Sequence, residues 1–185
     1  MRIIEWYPRC VSRPATPADH DFLKDVYVHA AWGPRSETDP DVDWMTRLYS
    51  GVLSRHVLVA GGSDRVGTVW AYRPDFKNLT CHVGFAAKPG KRDGMVLLGA
   101  ALFITALFEE WPFRRVLGET IEPVFRQYSS ADKFFTVDGR LPAHDVYNGH
   151  SVDRVLLSVG RDEWFENAGA YIRAWRTQLK PHSSA

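Results

Sequence analysis

Between Leu79 and Glu119 the chain reads LTCHVGFAAKPGKRDGMVLLGAALFITALFEEWPFRRVLGE, and no other stretch limits the possible folds as much. Leu79, Thr80, Val83 and Phe85 favour an extended backbone, and Lys88-Pro89-Gly90 ends it. The next segment, from about Met95 to Trp111, is apolar on nearly every side and predicts a buried helix. It falls short of the roughly 18 to 20 apolar residues that cross a bilayer, because Glu109-Glu110 interrupts it. Arg114 to Gly118 then predicts a second strand. A strand, a helix and a returning strand make a parallel pair joined by a right-handed crossover. The turn between the first strand and the helix is basic and contains glycine, which brings backbone N–H groups without helical partners next to Lys91 and Arg92. That is a physical recipe for holding phosphate, although an ordinary exposed turn has the same composition.

The 185 residues, 45% hydrophobic and 24% charged, predict one compact domain, residues 1–185, with a full core. A formal net charge of +1, without a polybasic or acidic block, gives no reason to expect a nucleic-acid partner. The N-terminus MRIIEWYPRC breaks the apolar core that a signal peptide needs, so a cytoplasmic protein with no membrane association is expected. Cys10 and Cys81 are too few for a disulfide framework. Cys81 and His82 are neighbours on a predicted strand and point to opposite faces, so they cannot chelate together. No other cluster has metal-ligand spacing, and no metal site is predicted.

Along the rest of the chain, Cys10 to Arg13 predicts a short strand. A helix follows to about Ala31, capped by Thr16 with Pro17 in its first turn. Gly33 to Pro40 predicts a loop and Val42 to Leu53 a second helix. His56 to Ala60 and Arg65 to Tyr72 predict a hairpin around Gly61-Gly62-Ser63-Asp64. Further on, the patterns predict a short helix near Val124 to Tyr128 and an irregular segment over Thr136 to Pro142. A turn at Asn148-Gly149, a strand over Val152 to Val159 and a closing helix over residues 162–180 complete the reading. The fold class is α/β, with a mixed sheet flanked by helices rather than a doubly wound one.

With these elements in place, residues 11–164 resemble the GNAT superfamily of acyl-CoA N-acyltransferases. Lys91-Arg92-Asp93-Gly94-Met95-Val96 occupies the place of that superfamily's pyrophosphate loop, with Gly94 retained. The run from Val146 to Asp153, with Arg161-Asp162-Glu163-Trp164, is similar to the ending of the ribosomal-protein-alanine acetyltransferase branch. The resemblance implies a mostly antiparallel sheet that splays into a V between its fourth and fifth strands, here Leu79 to Ala87 and Arg114 to Thr120. It also implies acetyl-CoA as acyl donor, seated by Phe85, Ala86 and Ala87 and by residues 91–96. Tyr128 takes the place of the acid that protonates the departing thiolate, and a packing role is its competing reading. His82, where related enzymes often carry a glutamate, is the candidate base, with an ordinary structural histidine as the competing reading. Glu119 and Glu122 are alternative bases acting through water.

The expected activity is transfer of an acetyl group from acetyl-CoA to a primary amine of a small molecule or peptide. A module of the same fold that only holds an acyl-CoA or an acyl-carrier arm is the alternative, as is a transferase for a longer acyl chain. Binding of the acceptor is expected at Trp32 to Asp41, including Glu37 and Asp39, and at Phe135 to Tyr147. Monomer and homodimer both remain open.

Overall fold

The computed structural model describes residues 4–6, 10–29, 50–60, 63–90, 94–127 and 134–178. Among the described residues eight strands form one sheet: β1 (Ile4–Trp6), β2 (Cys10–Pro14), β3 (Val52–Ala60), β4 (Asp64–Asp75), β5 (Thr80–Ala87), β6 (Arg115–Ile121), β7 (Thr136–Tyr147) and β8 (His150–Gly160). Their spatial order is β1-β2-β3-β4-β5-β6-β8-β7. Every neighbouring pair is antiparallel except β5 and β6, which are parallel. Among the described residues the helices are α1 (His20–His29), α2 (Gly94–Glu110), α3 (Glu122–Gln127) and α4 (Arg161–Gln178), with a 3₁₀ turn at Pro17–Asp19 ahead of α1. Apart from the three-residue β1, the parallel pair is the fourth and fifth strand of the sheet, as the resemblance implies.

Period-two alternation divides the molecule into two layers. Leu58, Cys81 and Val83 face the larger core, where α2 and α4 bury Phe103, Leu107, Phe108, Trp164 and Ile172. Val57, Val59 and Ala86 face the other way, onto Phe22, Leu23 and Val26 of α1. The apolar surround predicted for α2 follows from this position: Val96, Leu102, Phe103, Ile104, Leu107 and Phe108 are all buried. Buried Trp164 donates its Nε1–H to Thr105 Oγ1 at 3.0 Å, which ties α4 to α2. On the opposite layer, Asp19 fixes the start of α1. Arg13 grips its carboxylate through two bonds of 2.7 Å, Arg65 approaches to 3.2 Å, and the Thr16 N–H and hydroxyl each donate to it at 2.9 Å.

Two expectations change and one strand is added. Thr136 to Pro142 is not irregular but belongs to β7, which pairs with β8 through two register shifts, between Val137 and Gly139 and between Leu141 and Asp145. An edge strand tolerates glycine, proline and bulges of this kind, since it needs hydrogen bonds on one side only. Val52 and Leu53 begin β3 and do not end a helix; residues 42–49 of that expected helix lie outside the described residues. Ile4–Trp6 adds a strand that the sequence pattern does not announce. At the hairpin between β7 and β8, Asn148 and Gly149 both adopt positive φ, 51° and 81°, the geometry for which an Asn-Gly pair is suited.

Candidate active site

The parallel ladder between β5 and β6 is short. It pairs Thr80 with Arg115, Cys81 with Val116 and His82 with Leu117, and then stops. Beyond His82 the two strands are held only by their outer neighbours. Val83 to Ala87 continue on β4, and Gly118 to Ile121 continue on β8. The result is a split in the sheet that opens from His82. The V expected between these strands is therefore present, and α2 starts at Gly94 after β5 has run along one arm of it.

A row of polar side chains crosses the sheet at the throat of the split, on the α1 side. Tyr72 pairs with His82 across β4 and β5, and their rings stand 5.3 Å apart. Glu119 lies two residues beyond Leu117, the β6 partner of His82, and therefore on the same face. Its Oε1 is 3.9 Å from His82 Nδ1. The other carboxylate oxygen, Oε2, accepts from Arg154 Nη1 at 3.2 Å. Arg154 also forks onto Asp145, with Nε to Oδ2 at 2.9 Å and Nη2 to Oδ1 at 2.7 Å. His82, Glu119, Arg154 and Asp145 are each between one-fifth and just over one-quarter exposed, so they are reachable from solvent without being free in it.

The electrostatics follow from this half-burial. Desolvation lowers the pKa of His82, the Glu119 charge opposes that shift, and Arg73 adds to it. A neutral imidazole is thus favoured near neutrality. Burial raises the pKa of the Tyr72 phenol, with Glu119 adding to the shift, so it remains protonated. Arg154 holds the Asp145 carboxyl below its ordinary value through the forked hydrogen bonds. Cys81, on the other face of β5, is fully buried in the core, and burial pushes its thiol up to about 12. It is a packing residue, and the opposite orientation of Cys81 and His82 is as the alternation predicts. Among the described residues no group of three or more His, Cys, Asp or Glu side chains is arranged to hold a metal ion.

Of the residues singled out from sequence, the fold brings His82 and Glu119 together. Phe85, Ala86 and Ala87 lie on the β5 arm of the split, and Gly94, Met95 and Val96 open α2. Val96 buries its side chain in the larger core, so it can offer a ligand only its backbone. Tyr128, Lys91, Arg92, Asp93, Trp32, Glu37 and Asp39 lie outside the described residues. Glu122, the other alternative base, pairs with Arg126 Nε at 2.8 Å and with Arg140. Tyr72, Arg154 and Asp145 belong to the row as well. The one sequence signal for Tyr72 is the hairpin count that sets it opposite His82.

Solved structures share this architecture. A GCN5-related N-acetyltransferase from Brucella melitensis superposes with a TM-score of 0.70 at 18% identity, over 100% of this chain and 88% of that one. A ribosomal-protein-S5-alanine acetyltransferase from Vibrio fischeri gives 0.67 at 16% identity, over 89% and 99%. A spermidine N-acetyltransferase from Vibrio cholerae, solved with CoA and spermine, gives 0.68 at 12% identity, over 84% and 98%. No family model and no curated protein matches the sequence. The likeness is one of fold: this chain has the fold of the GCN5-related N-acetyltransferases. Among the described residues no helix is long and apolar enough to cross a membrane.

Proposed function

We propose that this chain, built on the fold of the GCN5-related N-acetyltransferases, is an acyl-CoA-dependent N-acyltransferase, with acetyl-CoA as donor and a primary amine of a small molecule or peptide as acceptor. The observation that carries the reading is the split between β5 and β6 with a titratable row at its throat. A parallel pair that stops after three residues leaves a slot lined by backbone. Such a slot suits the pantetheine arm of CoA, which is extended and needs amide partners, while the N-terminus of α2 faces the chemistry of a pyrophosphate. The relatives in fold that are named for acting on spermidine and on a ribosomal-protein alanine support an amine acceptor in general terms.

In this mechanism His82, kept neutral by desolvation, takes the proton that the attacking amine must lose. The amine nitrogen bonds to the thioester carbon, the C–S bond breaks, and the thiolate leaves as CoA. Backbone N–H groups of Phe85 to Ala87 polarise the carbonyl as negative charge develops on its oxygen. Tyr128 supplies the proton to the thiolate, a transfer between groups of comparable reference pKa, about 10 and about 8.5. Glu119 is the alternative base through water.

Titration calorimetry with acetyl-CoA and release of CoA thiol across a panel of amines, peptides and aminoglycosides test the reading. Saturable binding together with amine-dependent thiol release is expected, and Gly94→Trp is expected to abolish the binding by filling the space close to the backbone. Binding without thiol release for any amine would assign the protein to the holding modules instead. Unchanged affinity in Gly94→Trp would remove the start of α2 from the site.

A further inference from the structure

We propose that Arg154, braced by Asp145, is a positioning residue: it holds Glu119 so that one carboxylate oxygen faces His82 Nδ1, which leaves Nε2 of His82 as the nitrogen that takes the proton. The inference rests on the acyl-transfer reading and specifies how its base is prepared.

Four residues from four successive strands of the sheet, β5, β6, β8 and β7, form one line on one face. The register makes the line possible, since Arg154 pairs with Ile121 on one side and with Leu141 on the other, and Asp145 pairs with Val152. Asp145 occupies the Nε and Nη2 edge of the guanidinium, and this planar fork fixes the direction of the remaining Nη1. Nη1 holds Glu119 Oε2, so Oε1 is the oxygen turned toward the imidazole. His82 Nδ1 is buried and has no hydrogen-bond partner among the described residues, which leaves Glu119 as the acceptor within reach. The separation of 3.9 Å is longer than a hydrogen bond. Contacts of this kind tighten when an acceptor and donor fill the site.

A carboxylate facing Nδ1 selects the Nδ1–H tautomer and orients the ring. The groups around His82 are Tyr72 from β4, Glu119 from β6 and, behind it, Arg154 from β8, with Arg73 of β4 acting on it through its charge. A purely structural role does not account for the line. Partly exposed ion pairs contribute at most about 1 kcal/mol, so replacing Arg154 should leave the fold intact.

The test compares wild type with Arg154→Gln, Arg154→Lys and Asp145→Asn. Imidazole nitrogen NMR of the free protein reads the tautomer of His82 without any turnover. The wild type is expected to hold the Nδ1–H form, and Arg154→Gln to lose that preference. Steady-state rates are expected to show kcat lowered by about 10- to 100-fold at unchanged KM for acetyl-CoA. Arg154→Lys, which keeps the charge but lacks the fork, should recover only part of the rate, and Asp145→Asn should fall between wild type and Arg154→Gln. An unchanged tautomer in Arg154→Gln overturns the proposal, and so does a shifted tautomer with unchanged kcat. If the wild type holds the Nδ1–H form and Arg154→Gln loses it, yet no amine is acylated, the arrangement stands and the acyl-transfer reading falls.

Discussion

His56 and His82 are both sheet histidines withdrawn from water, yet among the described residues only His82 has a carboxylate within reach. His56 is fully buried, with Ser12 Oγ 2.9 Å from its Nδ1, the Phe103 ring steeply inclined to it at 5.1 Å between centroids, and Nε2 without a hydrogen-bond partner among the described residues. Burial pushes its pKa down to about 4, against Ser12, which raises it. The folded state therefore keeps His56 neutral where the unfolded chain, with a reference pKa of about 6.5, already binds a proton. No penalty exists above that value. Stability is lost as pH falls from about 6.5 toward 4, by about 2 to 3 kcal/mol at pH 4.5. Urea unfolding at pH 7.5 and at pH 4.5 should show that loss in the wild type, and a smaller one in His56→Gln. An equal loss in both would place the acid sensitivity elsewhere. His82 and Glu119 are legible as candidate site residues in the sequence because they lie on the two strands of the strand-helix-strand unit that contains the basic turn. Arg154 and Asp145 are not, since their meaning depends on cross-strand register. Tyr128 and residues 91–93 lie outside the described residues, and only the resemblance assigns them roles.

At the level of elements, the β5 arm of the split depends on how closely it lies against β4. A Cβ added to Gly67 would come within 2.6 Å of the carbonyl oxygen of Ala86, a backbone atom that cannot rotate away. Gly67→Ala should force β4 and β5 apart locally and cost about 1 to 3 kcal/mol, read from the urea midpoint. The same variant should weaken acetyl-CoA binding, because Ala86 lies on the proposed lining of the slot. A midpoint within error of wild type would mean that the strands have slack. The central strands are legible because Gly, Pro and Asp turns bound their β-favouring runs, and α2 because its apolar run is too long for a strand. Strand β7 is not, because Asp138-Gly139-Arg140 and Pro142 are turn formers by composition, and Ala143 takes a positive φ of 49°. Pairing with β8 overrides local preference there, and the Asp145 that completes the polar row is carried on that strand.

For the whole molecule, a sheet whose two arms separate after three parallel pairs lacks the ladder that would otherwise bind them together. A ligand that bridges the arms supplies part of that cohesion. Acetyl-CoA at about 100 times its Kd should stabilise the folded state by about 2.7 kcal/mol. For a chain of 185 residues this corresponds to a rise in Tm of about 5 to 10 °C by scanning fluorimetry. Free acetate or adenine alone, which cannot span the slot, should produce no such rise. The alternation along β5 has a different outcome on a longer timescale. Cys81 and Val83 belong to the larger core, while His82 between them faces the polar row, so adjacent codons answer to separate selection. Substitution at His82, Glu119 or Arg154 is expected to alter the proposed proton transfer while the packing that carries stability goes untouched. A lineage built on this sheet is free to diversify its chemistry without first accumulating compensating changes in its interior.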